Sequence, residues 1–303
     1  MFRLLAMLVL SGIAAQAQTI TETFGSGANQ FTIDFVEIGN PGNAADTLGV
    51  GSVAYNYNLG KYEVNRDMVF KANTSGSLEI TMADMSSYRA DGGNWPVTGV
   101  TWYEAAQFVN WLNTSTGGAA AYKFQGGAFH LWSAGDAGYN ANNPFRNSLA
   151  KYWIPSADEW YKGAYGKPDG SWSAYPSESG GTPISVSEGI QPNTAVYSQS
   201  SPAQITRAGG LSAMGTMGQG GNVWEWTETA IDGNNDTAGE NREVRGGSWL
   251  GNNIFLYSET KNTADPTFET SVYGFRVAMV PEPTSFLLLM MGGAVLMVRR
   301  RKS

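Results

Sequence analysis

The chain has 303 residues, 42% of them hydrophobic and 12% aromatic, with 38 glycines and a formal charge of -7. That length suffices for one large core or two small ones, and the glycine and aromatic content points to a loop-rich domain rather than a helical bundle. The acidic balance argues against a nucleic-acid partner, which needs clustered Lys and Arg, and the absence of cysteine excludes disulfides, thiolate nucleophiles and Cys-ligated metals.

Residues 1–17 have the layout of a secretory signal. Arg3 precedes an apolar run from Leu4 to Ile13, and the small-residue pattern Ala15-Gln16-Ala17 places cleavage before Gln18. One domain is expected from 24 to 280. Phe31 to Val36 alternates apolar and polar residues at strand period and stops at the turn Asn40-Pro41-Gly42. Val53 to Glu63 reads as a second extended run pairing with it.

Trp102, Ala105, Ala106, Val109 and Leu112 recur at helical spacing, with Thr101 as the cap. His130, the single histidine, lies between Phe129 and Leu131 and reads as a packed or surface residue. Ser156 and Glu159 have capping-box spacing and open a helix to about Tyr165. From Gly166 to Gly221 the Gly, Ser, Pro and Thr content predicts long ordered loops.

Trp224 and Trp226 then flank Glu225 in a strand-like pattern. Arg245 is expected to pair a buried carboxylate, and Gly246 with Gly247 to supply positive φ or a close backbone approach. Between them, Asp232, Asn234, Asp236, Glu240 and Glu243 fall at the ligand spacing of an EF-hand-like loop. Thr237 replaces the glycine that such a loop needs, and the alternative is a solvated acidic turn.

At the C-terminus, residues 281–303 join Pro281-Glu282-Pro283 to an apolar run from Ser285 to Val298 and then to Arg299-Arg300-Arg301-Lys302. About 14 apolar residues give about 21 Å of helix, short of a ~30 Å hydrocarbon core. This order resembles the PEP-CTERM sorting signal of Gram-negative bacteria that secrete exopolysaccharide. The resemblance implies recognition by an exosortase, transient membrane contact through the C-terminal helix, and display in the cell envelope, at the cell surface or in the extracellular matrix. A plain C-terminal transmembrane anchor is the alternative. The two ends hold five of the 19 basic residues and one of the 26 acidic ones, so the body between them carries about -11.

Six segments in order resemble the formylglycine-generating, sulfatase-modifying factor family. They are Gly60-Lys61-Tyr62-Glu63-Val64, PVTGVTWYEAAQFVNWL from Pro96, YWIPSADEWYKGAYG from Tyr152, GGNVWEW from Gly220, RGGSW from Arg245 and YGFRV from Tyr273. The resemblance implies a single α+β domain of C-type-lectin-like arrangement, with little regular secondary structure and long loops. Active aerobic members bind copper(I) through two cysteines after RGGS. The matching positions here are Gly251 and Leu256, which offer no donor, so copper is not expected.

Relatives that hold non-haem iron use several histidines, and this chain has one. Structural calcium in the family would carry over to the carbonyls of Gly221 and Val223 and the carboxylate of Glu225. Gly218 and Val196, however, stand where the family has side-chain ligands. In related domains, including the variable proteins of diversity-generating retroelements, the segment between RGGSW and GFR meets the partner. Here it offers Asn252, Asn253, Tyr257, Glu259, Lys261, Asn262 and Phe268, suited to a sugar or a peptide.

The expectation is an exported, non-catalytic module that binds an exopolysaccharide or a surface protein. The alternatives are a polar loop with no partner and an enzyme, such as a carboxylate hydrolase, that works without cysteine.

Overall fold

A computed structural model describes residues 19–281. The first elements are β1 (Thr19–Phe24), β2 (Phe31–Ile38), β3 (Tyr57–Gly60), α1 (Arg66–Gly76) and α2 (Trp102–Ser115). The middle of the chain holds β4 (Lys123–Gln125), β5 (Ala128–His130), β6 (Tyr152–Trp153), α3 (Ala157–Tyr165), β7 (Ile184–Ser185) and β8 (Thr194–Ala195). The last elements are β9 (Trp224–Ala230), β10 (Arg242–Arg245), β11 (Asn262–Ala264), β12 (Tyr273–Gly274) and β13 (Ala278–Met279).

Two sheets carry the architecture, one in the order β1-β2-β3-β13-β6 and one in the order β11-β10-β9-β12. The predicted alternation in Phe31–Val36 is the inward face of the first sheet, where Phe31, Ile33 and Phe35 are buried. Within the expected Val53–Glu63 run only Tyr57–Gly60 pairs, antiparallel with β2 from Phe35↔Gly60 to Ile38↔Tyr57. The sheet also starts earlier than the expected boundary at 24, since Thr19 already pairs with Val36.

Helix α2 begins where the sequence places it. Thr101 Oγ1 accepts from Glu104 N and the Glu104 carboxylate accepts from Thr101 N, so two orphan amides at the helix start are satisfied reciprocally. Two indoles lock this end to the second sheet: Trp102 Nε1 donates to Thr227 O at 2.9 Å and Trp226 Nε1 donates to Val100 O at 3.0 Å. The far half of α2 covers the first sheet, with Phe31 stacked against Phe108 and Trp111.

Ser156 and Glu159 form the second capping box and open α3 as expected. Helix α3 then spans between the sheets, with Glu228 N donating to Pro155 O and Trp160 Nε1 reaching Glu225. From 166 to 221 only β7, β8 and one short 3-10 turn interrupt the loops. These loops are ordered by buried hydrogen bonds, such as Ser212 Oγ to Gly163 O and Gln219 Nε2 to Trp160 O. Among the described residues no helix is long and apolar enough to cross a membrane; the expected signal at 1–17 and the apolar run after Pro281 lie outside them.

Candidate functional site

Strand β9 organises the site because its residues alternate between two environments. Trp224 and Trp226 pack with the core, and Tyr273 on β12 lies beside Trp224 in parallel register. From these buried rings the aromatic contacts run outward. Phe255, 41% exposed, meets Trp224 edge-on at 5.8 Å, and Phe268, 49% exposed, meets Tyr273 edge-on at 5.8 Å. Asn262 Nδ2 donates to the Tyr273 hydroxyl at 3.2 Å. The result is an exposed aromatic and amide surface anchored on a fully packed sheet.

The positions matched to the catalytic thiols are closed by apolar groups. A β-carbon on Gly251 would stand 2.8 Å from Phe255 Cδ2, so the Phe255 ring lies directly against the glycine. Leu256 is fully buried, with its methyls near Gly220 and Gly247. Gly247 (φ 74°) and Gly246 (φ 100°) meet the expectation for the turn before it, and a β-carbon at Gly246 would stand 2.9 Å from Gln219 O.

The seven candidate ligand residues do not form one cluster. Phe268 and Asn262 gather at Tyr273. Asn252 is exposed, but its carboxamide oxygen accepts from Ile254 N and so caps the short turn that presents Phe255. Tyr257 lies elsewhere, edge-on to Tyr175 at 5.4 Å, and Lys261 pairs with Glu243 at 3.3 Å. Glu259 is exposed and Asn253 half-buried. Residue parity explains part of the division, because Asn262 pairs with Val244 opposite Trp226 while Thr263 pairs with Glu243.

Glu225, the carboxylate of the calcium expectation, has an arginine partner. Its carboxylate is fully buried and receives Arg276 Nε at 2.5 Å, Arg276 Nη2 at 2.6 Å and Trp160 Nε1 at 2.6 Å. A guanidinium already neutralises it, so Gly221 and Val223 have no free carboxylate there to complete a cation shell.

The acidic stretch fails for a different reason. Asp232 accepts from Asn234 in a local turn between β9 and β10. Glu243 sits on β10, tied to Arg245 Nε at 2.5 Å and to Lys261. Asp236 accepts from Thr237 beside it. Among the described residues no group of three or more His, Asp or Glu side chains could hold a metal. The solvated acidic turn is therefore the better description of Asp232 to Glu240. The buried carboxylate expected to pair with Arg245 is Glu243.

Two buried charge clusters went unread in the sequence. Glu63 is buried, accepts from Asn222 Nδ2 at 2.8 Å through Oε1, and leaves Oε2 without a partner. Burial, then repulsion from Glu225, push its carboxyl up to about 7 against the pull of Arg276. A β-carbon at Gly218 would stand 2.6 Å from Glu63 Oε2, so this carboxyl fills the space that a side chain at 218 would need. In the second cluster the Arg146 guanidinium lies between Glu159 at 3.4 Å and Glu228 at 3.5 Å and stacks on Trp153 at 4.6 Å.

Tyr122 donates to Glu228 at 2.8 Å and Tyr55 to Glu159 at 2.6 Å. Burial raises Glu228. For Glu159 burial acts in the same direction, but Arg146 and donors from Tyr55, Ser156 and Trp153 prevail and hold it below the usual range. Both side chains have 1% or less of their surface exposed, which closes them to a substrate. His130 is exposed on β5, paired with Lys123. A sequence signal for the buried pairs did exist in KYEV and GFRV, but their partners are set by topology.

This α+β arrangement, two main sheets with three α-helices among the described residues and long ordered loops, is the C-type-lectin-like fold. The chain belongs to the family described as "Sulfatase-modifying factor enzyme 1-like domain", which matches residues 28–280. A second match, the PEP-CTERM protein-sorting motif, covers 280–302. The motif implies export to the cell envelope or surface of a Gram-negative bacterium and processing by exosortase-type machinery.

Among solved structures the chain is similar to the variable protein 1 of Treponema denticola, at 20% identity with a TM-score of 0.59, over 86% of this chain and 99% of that one. It is also similar to CarF, at 18% identity with a TM-score of 0.58, over 88% of this chain and 99% of that one. PvdO from Pseudomonas aeruginosa is 17% identical with a TM-score of 0.53, over 86% of this chain and 98% of that one. At these identities the likeness establishes the fold. No curated protein matches the chain.

Proposed function

We propose that this exported family member is a non-catalytic binding module whose contact surface is the aromatic and amide face around Phe255, Phe268 and Asn262, and that its ligand is an exopolysaccharide. The observation that carries the reading is the replacement of both thiol positions by Gly251, covered by the Phe255 ring, and by the buried Leu256. With no cysteine in the chain, copper(I) has no soft ligand, while exposed rings beside amides suit the apolar C–H faces and hydroxyls of sugars. The preference for a polysaccharide over a surface protein rests on the sorting motif and its association with polysaccharide-secreting bacteria.

Two experiments test this reading. Incubation of the purified protein with a cysteine-containing sulfatase peptide, copper and oxygen should leave the thiol unchanged; its conversion to an aldehyde would overturn the non-catalytic assignment. Polysaccharide from the producing organism should be retained by the native protein and released by the Phe255→Ala, Asn262→Ala, Phe268→Ala variant. Equal retention by the triple variant places the contact face elsewhere, and retention by neither form makes a protein the ligand.

A further inference from the structure

A second concavity shares no residue with the 250–273 face. It is an open groove of about 370 Å³ between the C-terminal end of α1, the outer side of α2 and the β4–β5 hairpin. That volume lies within the range of small-molecule sites. Its walls include Gly76, Leu78, Gln107, Trp111, Thr114 and Phe124, and no lining residue carries a charge. In a body that is strongly acidic, an uncharged groove selects against ions in both directions: nothing in its lining compensates a charged ligand.

The decisive group is the indole of Trp111. This residue is 8% exposed, with its ring stacked on Phe31 at 5.8 Å, yet its N–H makes no hydrogen bond among the described residues. The indoles of Trp102, Trp153, Trp160 and Trp226 all donate, whereas those of Trp224 and Trp249, like that of Trp111, make no hydrogen bond among the described residues. What sets Trp111 apart is its place: the N–H edge is not sealed in the core but opens on the groove, where it can donate to a bound ligand.

Gly76 explains what keeps the edge open. A β-carbon there would stand 2.7 Å from Trp111 Nε1, and Gly76 lines the groove. Its φ is not positive, so backbone conformation does not call for glycine at this last residue of α1. What the position does require is room beside the indole N–H. Gln107 adds a carboxamide with no partner among the described residues, half-exposed one turn before Trp111. Phe124 adds an aromatic surface from the hairpin.

We propose that this groove binds a neutral sugar ring, with the indole N–H of Trp111 and the carboxamide of Gln107 bonding its hydroxyls and Phe124 covering its C–H face. The site is distinct from the face assigned above and stands or falls without it.

The test uses the full-length protein labelled at its 10 indole nitrogens, with the Trp111 signal identified by its loss in Trp111→Phe. Titration with glucose, galactose or mannose should move that signal saturably, with a Kd reached by about 100 mM, and glucuronate should not. Gln107→Ala, a change outside the core, should weaken the binding about fivefold, and Gly76→Ala should abolish it by covering the indole edge. The proposal is overturned if none of the three sugars moves the Trp111 signal, if glucuronate moves it equally, or if Gln107→Ala binds like the native protein.

Discussion

The carboxylate of Glu225 and the guanidinium of Arg276 form a two-point ion pair at 2.5 and 2.6 Å, with neither side chain exposed to solvent. Arg276 also donates to the carbonyls of Gly60 and Met217, so this one side chain ties β9, the end of β3 and the loop before Gly218 together. Removing one partner leaves an uncompensated buried charge. Arg276→Met should therefore cost about 3–5 kcal/mol, read as a lowered urea midpoint. The double variant Glu225→Gln, Arg276→Met should recover part of that loss, and no recovery would mean that the carbonyl contacts, not the charge pair, hold the region.

Glu63 makes stability depend on pH in an unusual direction for a carboxylate. Its folded-state value of about 7 lies above the ordinary 4.5, so folding favours the protonated form. The penalty for its ionised form is absent below about pH 4.5, grows through the interval up to about pH 7 and is fully present above it, amounting to about 3 kcal/mol. Glu63→Gln should stabilise the protein at about pH 8 and leave it nearly unchanged at about pH 4. Denaturation midpoints at the two pH values check this, and an equal effect at both would contradict a titrating Glu63.

Restoring thiols at Gly251 and Leu256 should not restore a copper site. Leu256→Cys removes buried methyl groups and should cost about 2 kcal/mol, while Gly251→Cys has to displace the Phe255 ring. Competition with a copper(I) chelator should show weak binding by the double variant, and stronger binding once Phe255→Ala is added.

The two capping boxes should contribute separately to stability. Thr101→Ala and Ser156→Ala should each cost about 1 kcal/mol and add when combined, since each satisfies the start of a different helix. Thermal unfolding of the singles and the double measures both the costs and their additivity.

In a host that possesses an exosortase, the mature protein should lack the segment after Pro281. Mass spectrometry decides it: a species ending in Lys302-Ser303 would show that the sorting motif is not processed.

What the sequence disclosed was mostly local. Thr101, Ser156 and Glu159 announce helix starts because their partners lie three residues away, and Phe31 to Val36 betrays its sheet face by alternation. Helix α1 was overlooked although Asn65 caps it through Met68 N. The β4–β5 hairpin was missed although Gly126-Gly127 is a turn signal. Strand β1 also alternates, but it follows directly on the segment that reads as a secretory signal. Strands β6, β12 and β13 have two residues each, too few for any period to appear.

The site was less legible, because Glu225 meets Arg276 across 51 positions and the division of the 250–273 residues depends on strand parity. Spacing identifies a carboxylate such as Glu225 without showing that the Arg276 guanidinium pairs with it.

Strand β9 holds both ends of one excursion. Arg245 pairs with Glu225 on one side and Tyr273 pairs with Trp224 on the other, so the intervening residues leave and return about two strand spacings, roughly 10 Å, apart. The flanking strands and Arg276 clamp its two ends. Inside the excursion, buried Leu256 and strand β11 hold fixed points, and the exposed stretches between them are what the frame displays. Doubling the length of a flexible loop adds only about 0.6 kcal/mol of closure entropy, so the exposed stretches on either side of β11 can vary in length and composition while the sheet beneath keeps its register.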